Sequence, residues 1–129
     1  MAIDESGTVH AWGNSYSEYR NYEMDDLPSD MRPTLVIGSG SASAALDESG
    51  TIHTWGPSSV PAAPADVVCY RCTPRGAGFT AIFSTVSAFA ALHESGTIHA
   101  WGGGSGGSGA PSGTGFTYIF SGGAFAALD

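Results

Sequence analysis

One phrase recurs through this chain. It reads ALDESGTIHTWG at residues 45–56, AIDESGTVHAWG at 2–13 and ALHESGTIHAWG at 91–102, and its first letters return as AALD at 126–129. Anchored on the aliphatic residue before the acidic turn (Ile3, Leu46, Leu92 and Leu128), the spacings are 43, 46 and 36 residues. Repetition at such a period constrains the fold more than any other feature, because each copy is one supersecondary unit that must bury its apolar faces against the next. The chain reads as a single repeat domain over 1–129. Its units fall at about 1–33, 34–78 and 79–115, with a partial unit at 116–129.

Within a unit the pattern is that of short strands. The segments LVIGSGSASAAL (35–46), AIFSTVSAFAAL (81–92) and YIFSGGAFAAL (118–128) each hold two apolar runs around a Ser/Gly turn. Two strands joined by a tight turn are expected there. DESG or HESG then closes a second hairpin, with Gly7, Gly50 and Gly96 at the positive-φ position that glycine fills cheaply. The Thr-Ile/Val-His-x-Trp-Gly run is a third strand, and no helical period occurs. In TIHAWG, Thr97, His99 and Trp101 alternate with Ile98 and Ala100, and neither face is plainly polar. AFAAL is apolar on both faces. Such sheets are expected to be covered on both sides, with Ala90, Ala91, Ala126 and Ala127 allowing close approach. Trp12, Trp55 and Trp101, with Leu46, Leu92 and Leu128, are the expected structural core.

Small antiparallel sheets that bury both faces against their neighbours are the blades of a β-propeller. With an Ile/Val-x-Ser/Gly segment before it, ALDESGTIHTWG resembles the repeat of the regulator of chromosome condensation-like and tectonin-like β-propellers. The resemblance covers 2–13, 35–56, 81–102 and 118–129 and rests chiefly on a Trp-Gly strand that recurs three times. The Gly-Gln-Leu-Gly loop usual after that strand is missing, with only WGNS at 12–15 similar to it. The resemblance thus implies a propeller architecture and not guanine-nucleotide exchange. Three blades are too few to close a ring, which needs about four to eight. The expected solution is oligomerisation: two chains giving six blades, residues 116–129 of one completing a blade with the N-terminus of the other. Three chains giving nine blades is a further arrangement. A β-trefoil monomer, also built of three units of about forty residues, is the alternative architecture.

The segments after each Trp-Gly, at 14–33, 57–78 and 103–115, differ completely. Variable loops on a repeated scaffold are where recognition usually sits. Tyr16, Tyr19 and Tyr22 form the candidate binding cluster, and DVVCYR (66–71) is a candidate outer strand. His10, His53 and His99 occupy one position in three units. A ring of them could hold a metal, but packing residues with one hydrogen bond each is the preferred reading, and no metal site is assigned. His93 stands where the other turns have Asp4 and Asp47, and is expected to be exposed. Cys69 and Cys72 supply two ligands where zinc takes four. GGGSGGSG (102–109) lacks the lysine of a phosphate loop. Asp4-Glu5, Asp47-Glu48 and Glu94 are expected as solvated turn residues.

Charge narrows the function classes. Twelve Asp and Glu face four Arg and no Lys, a net charge of −8. That balance argues against nucleic-acid and anionic-membrane partners. No apolar run reaches 18 residues, and MAIDESG lacks the basic and apolar regions of a signal peptide. The expectation is a soluble, non-enzymatic scaffold or protein-binding module without cofactor, its first partner a copy of itself, either alone or as a segment of a longer repeat protein. The trefoil alternative would imply a carbohydrate-binding lectin.

Overall fold

A computed structural model describes residues 2–10, 30–40, 42–56, 73–103 and 109–129. Among these residues every regular element is a β-strand and every pairing is antiparallel. The strands are β1 (Ala2–Ile3), β2 (Val9–His10), β3 (Pro33–Gly38), β4 (Ser43–Asp47), β5 (Ile52–Trp55), β6 (Phe79–Ser84), β7 (Ala88–His93), β8 (Ile98–Gly102), β9 (Tyr118–Ser121) and β10 (Phe125–Leu128). They form four separate sheets: β1–β2, β3–β4–β5, β6–β7–β8 and β9–β10.

The two three-stranded sheets share one register. Pro33 faces Asp47 and Leu35 faces Leu46 in the first, while Phe79 faces His93 and Ala81 faces Leu92 in the second. Both therefore bulge at the skipped threonine. The hydroxyls of Thr34 and Thr80 fill the irregularity by donating to the Leu46 and Leu92 carbonyls, at 3.1 and 3.2 Å. Thr117 does the same to Leu128 at 3.3 Å. The same threonine-to-leucine bond thus recurs in three units, and in two of them it sits at a bulge.

The sheets follow one another in chain order, β1 against β3, β3 and β4 against β6, β6 and β7 against β9. Strand alternation divides β7 between two cores. Phe89 and Ala91 join Ala44, Leu46, Ile52, Phe79 and Trp101 on the side of the preceding sheet. Ala90 and Leu92 meet Ile119 on the side of the following one, with Ile98, Phe116 and Phe125 packed around them. Trp101 stacks on its cross-strand partner Phe89, centroids 5.4 Å apart. The alanines matter physically: Ala44, Ala45, Ala90 and Ala91 are almost fully buried, and larger side chains would hold the sheets apart.

Candidate functional site

The repeat turn is the most organised polar feature. In the second unit Asp47 Oδ1 accepts from the Ser49 amide at 2.9 Å, the Ser49 hydroxyl at 2.6 Å and the Thr51 amide at 2.9 Å. Its Oδ2 accepts from His53 Nε2 at 2.7 Å. Asp4 repeats the arrangement with Ser6, Thr8 and His10. A carboxylate thus binds both arms of the hairpin, and Gly50 closes the turn at φ +77. Partial burial pushes the Asp47 carboxyl up, but the bonds from Ser49, His53 and Thr51 reverse this and bring it down to about 2. Bonds from His10 and Ser6 first, then Thr8, hold the Asp4 carboxyl well below the usual carboxylate range.

In the third unit a histidine replaces the carboxylate. His93 Nδ1 accepts from the Ser95 amide at 3.1 Å and lies 2.8 Å from the Ser95 hydroxyl. Its Nε2 is 3.1 Å from the Ala77 carbonyl. His99, without an aspartate to face, packs edge-on against Phe79 with ring centroids 5.3 Å apart. Burial, and then the neighbouring His93, push the His99 ring below its ordinary range.

These turns also join one sheet to the next. The Gly50 carbonyl accepts from the Phe79 amide at 3.0 Å, and the Gly96 carbonyl from the Phe116 amide at 3.1 Å. A Cβ on Gly50 would stand 2.7 Å from the Gly78 nitrogen, and one on Gly96 2.5 Å from the Gly115 nitrogen. Glycine is therefore required twice over, for its φ and for close approach. The first joint differs. The residue equivalent to Phe79 is Pro33, which has no N–H to offer Gly7. Gly7 takes φ +84, and among the described residues nothing lies within 4 Å of where its Cβ would be. At the opposite end of the sheets the Gly40 amide donates to the Val86 carbonyl at 2.7 Å, and the Ser84 hydroxyl to the Gly38 carbonyl at 2.9 Å.

The β9–β10 sheet carries three of the five exposed large apolar side chains described. Tyr118, Phe120 and Leu128 are exposed. The Leu128 and Ala124 carbonyls accept from Thr117 and Gly122 on the β9 side. The alternation of an antiparallel ladder then turns the N–H and C=O of Phe125 and Ala127 to the open edge. In β7 the equivalent Phe89 and Ala91 face Trp101 and His99 of β8.

The residues expected to matter are thus spread over different roles. Trp55 and Trp101 are buried, as are Leu46 and Leu92, whereas Leu128 is half-exposed at the edge. Gly7, Gly50 and Gly96 all have positive φ. His10 and His53 turn onto their own aspartates and do not converge. Among the described residues no group of three or more His, Cys, Asp or Glu could hold a metal ion. Also among them, no helix is long and apolar enough to cross a membrane. Trp12, Tyr16, Tyr19, Tyr22, Cys69, Cys72 and the candidate strand 66–71 lie outside the described residues.

Sequence reasoning missed two things. It read the turn acids as solvated, which fits the exposed Asp4, Glu5, Glu48 and Glu94 but overlooks the part-buried Asp47 as the hub of its hairpin. The signal was available, since a tight hairpin closing at Asp47 and Thr51 sets His53 diagonally across from Asp47 on the same face. It also passed over Gly-Phe-Thr, present at 78–80 and 115–117, which supplies the joint and the bulge bond. Comparison with known proteins finds no family model and no curated relative that matches this chain.

Proposed function

We propose that this chain is a non-enzymatic scaffold whose sheets are blades of a propeller-type ring, and that the 129-residue chain assembles with a second copy through its terminal sheets. One observation carries the reading. The segment Ala88–Leu92 is covered along its edge by Ile98–Gly102, while the identical Ala124–Leu128 has an open edge. The chain holds one more run of the covering type, beginning at Val9–His10, and among the described residues these two pair with the two-residue β1. β10 of one copy taking the place of β1 in another would align Leu128 with Val9 and Ala127 with His10, by the register of β7 on β8. Burial is worth about 25 cal/mol per Å² of apolar surface, so covering Phe120, Phe125 and Leu128 favours association. The resemblance of the Trp-Gly repeat to regulator of chromosome condensation-like propellers agrees with this. The loops after each Trp-Gly, with Tyr16, Tyr19 and Tyr22 in the first, are the surface for a protein partner.

The test is the mass of the purified chain by light scattering. The expected value is near twice 13.1 kDa. Ala127→Pro, which removes an edge donor without touching the β9 ladder, is expected to give the single-chain mass with unchanged circular dichroism. A wild-type particle that stays at one chain at high concentration would overturn the reading.

A further inference from the structure

The third repeat turn carries His93 where the others carry Asp4 and Asp47. We infer that His93 makes the joint between the β6–β8 sheet and the β9–β10 sheet acid-labile: a proton taken up at Nδ1 opens the turn that presents the Gly96 carbonyl to the Phe116 amide.

The hydrogen bonds dictate the tautomer. The Ser95 amide can only donate, and it lies 3.1 Å from Nδ1, so Nδ1 holds a lone pair. A neutral imidazole with a bare Nδ1 carries its proton on Nε2. Nε2 stands 3.1 Å from the Ala77 carbonyl, which can only accept. One tautomer therefore satisfies both contacts, and a neutral ring does with one nitrogen what Asp47 does with Oδ1. A second proton sets N–H against N–H at Ser95. The bond to Ala77 survives, and the Ser95 hydroxyl, 2.8 Å from Nδ1, can turn to accept, but the Ser95 amide loses its acceptor.

The surroundings do not restore it. On the same hairpin the His99 ring lies 6.4 Å away by centroid, and its own protonation would add repulsion. The Glu94 carboxylate and His93 Nε2 both border Gly78. Glu94 thus lies on the Nε2 side of the ring, away from the Ser95 contact. From β6 the neighbour is the uncharged Phe79, 5.2 Å away. The strand leading to β9 contributes Gly115 and Phe116, also uncharged. Gly96 sits in this turn at φ +77, its amide donating to the His93 carbonyl at 2.8 Å. The Asp47 turn keeps its acceptor through the same acidification, because its carboxyl stays ionised down to about 2.

Amide hydrogen exchange tests the inference on the intact chain, with protection expressed relative to intrinsic rates at pH 7.5 and pH 5. The Phe116 amide is expected to lose roughly ten-fold or more of its protection, while the Phe79 amide, bonded to Gly50, keeps its own. His93→Asp should abolish the loss at Phe116, and Asp47→His should transfer it to Phe79. Unchanged Phe116 protection at the lower pH, or an equal loss in His93→Asp, overturns the inference. So do imidazole nitrogen shifts that place the neutral proton of His93 on Nδ1, a readout that needs no variant.

Discussion

Ala88–Leu92 and Ala124–Leu128 are the same five residues in the same order. In the first, every residue is buried, between a preceding and a following sheet and beside a third strand. In the second, Phe125 is partly covered and the rest are exposed, Leu128 at 52 %. Side-chain chemistry cannot account for the difference, since it is identical. What differs, among the described residues, is the neighbours: β7 has β6, β8 and two flanking sheets, whereas β10 has β9 and one. An apolar letter in a repeat therefore states what its unit needs, and only position states whether the need is met. The same holds for the repeat turns, whose interior copies are locked against a following Gly-Phe and whose first copy is not.

Substitutions at equivalent positions should break or sharpen this contrast. The largest effect is expected in the apolar segment. Phe89→Ala should cost about 3–5 kcal/mol, as should Trp101→Ala, while Phe125→Ala should cost the isolated chain roughly a third of that. Urea denaturation of the single-chain form would measure it, and equal losses at Phe89 and Phe125 would erase the distinction. Next come the turn glycines. Gly50→Ala must adopt a disfavoured φ and also force backbone from the Gly78 nitrogen, for roughly 2–4 kcal/mol; Gly7→Ala meets only the first problem, at about 1–2 kcal/mol. A thermal melt that ranks them the other way would refute the locked joint.

Smaller changes follow at the turn carboxylates. Asp47→Ala strands two amides and a histidine, and about 1–3 kcal/mol is expected; the exposed Asp4→Ala should lose less, again by denaturant midpoint. The mildest contrast is in pH. The Asp47 carboxyl sits below its ordinary 3.8 in the folded chain, so its stabilisation is complete above that pH and disappears as pH falls toward about 2. Asp47→Asn should flatten that limb. The fold favours the neutral His99 ring, whose ordinary value is 6.5. Stability is thus complete above that value and declines as pH drops through it, an earlier limb that His99→Gln should shrink. A single acid transition near pH 3 in the wild type would show that the histidines contribute nothing.

Much of this arrangement was legible before any coordinates. Gly7, Gly50 and Gly96 were identifiable because only glycine closes a tight hairpin cheaply at positive φ. The strand at 88–92 was identifiable because both faces of AFAAL are apolar. The joints were not. Gly-Phe-Thr contains no unusual residue, and its role comes from a backbone amide that any non-proline residue carries. The exposure of Leu128 was equally hidden, because it depends on how many strands flank β10 and not on leucine. The Asp47–His53 bond lay in between: each partner was noticed, but they were read singly and not across the hairpin.

Pro33 carries that lesson to the mechanics of the molecule. A ring amide with no hydrogen to give leaves one seam, between β1–β2 and β3–β5, without the stitch that Phe79 provides at the next. Tension applied to the two ends should part that seam at lower force than its neighbour. Pro33→Ala, which restores the missing hydrogen, should bring the two rupture forces together.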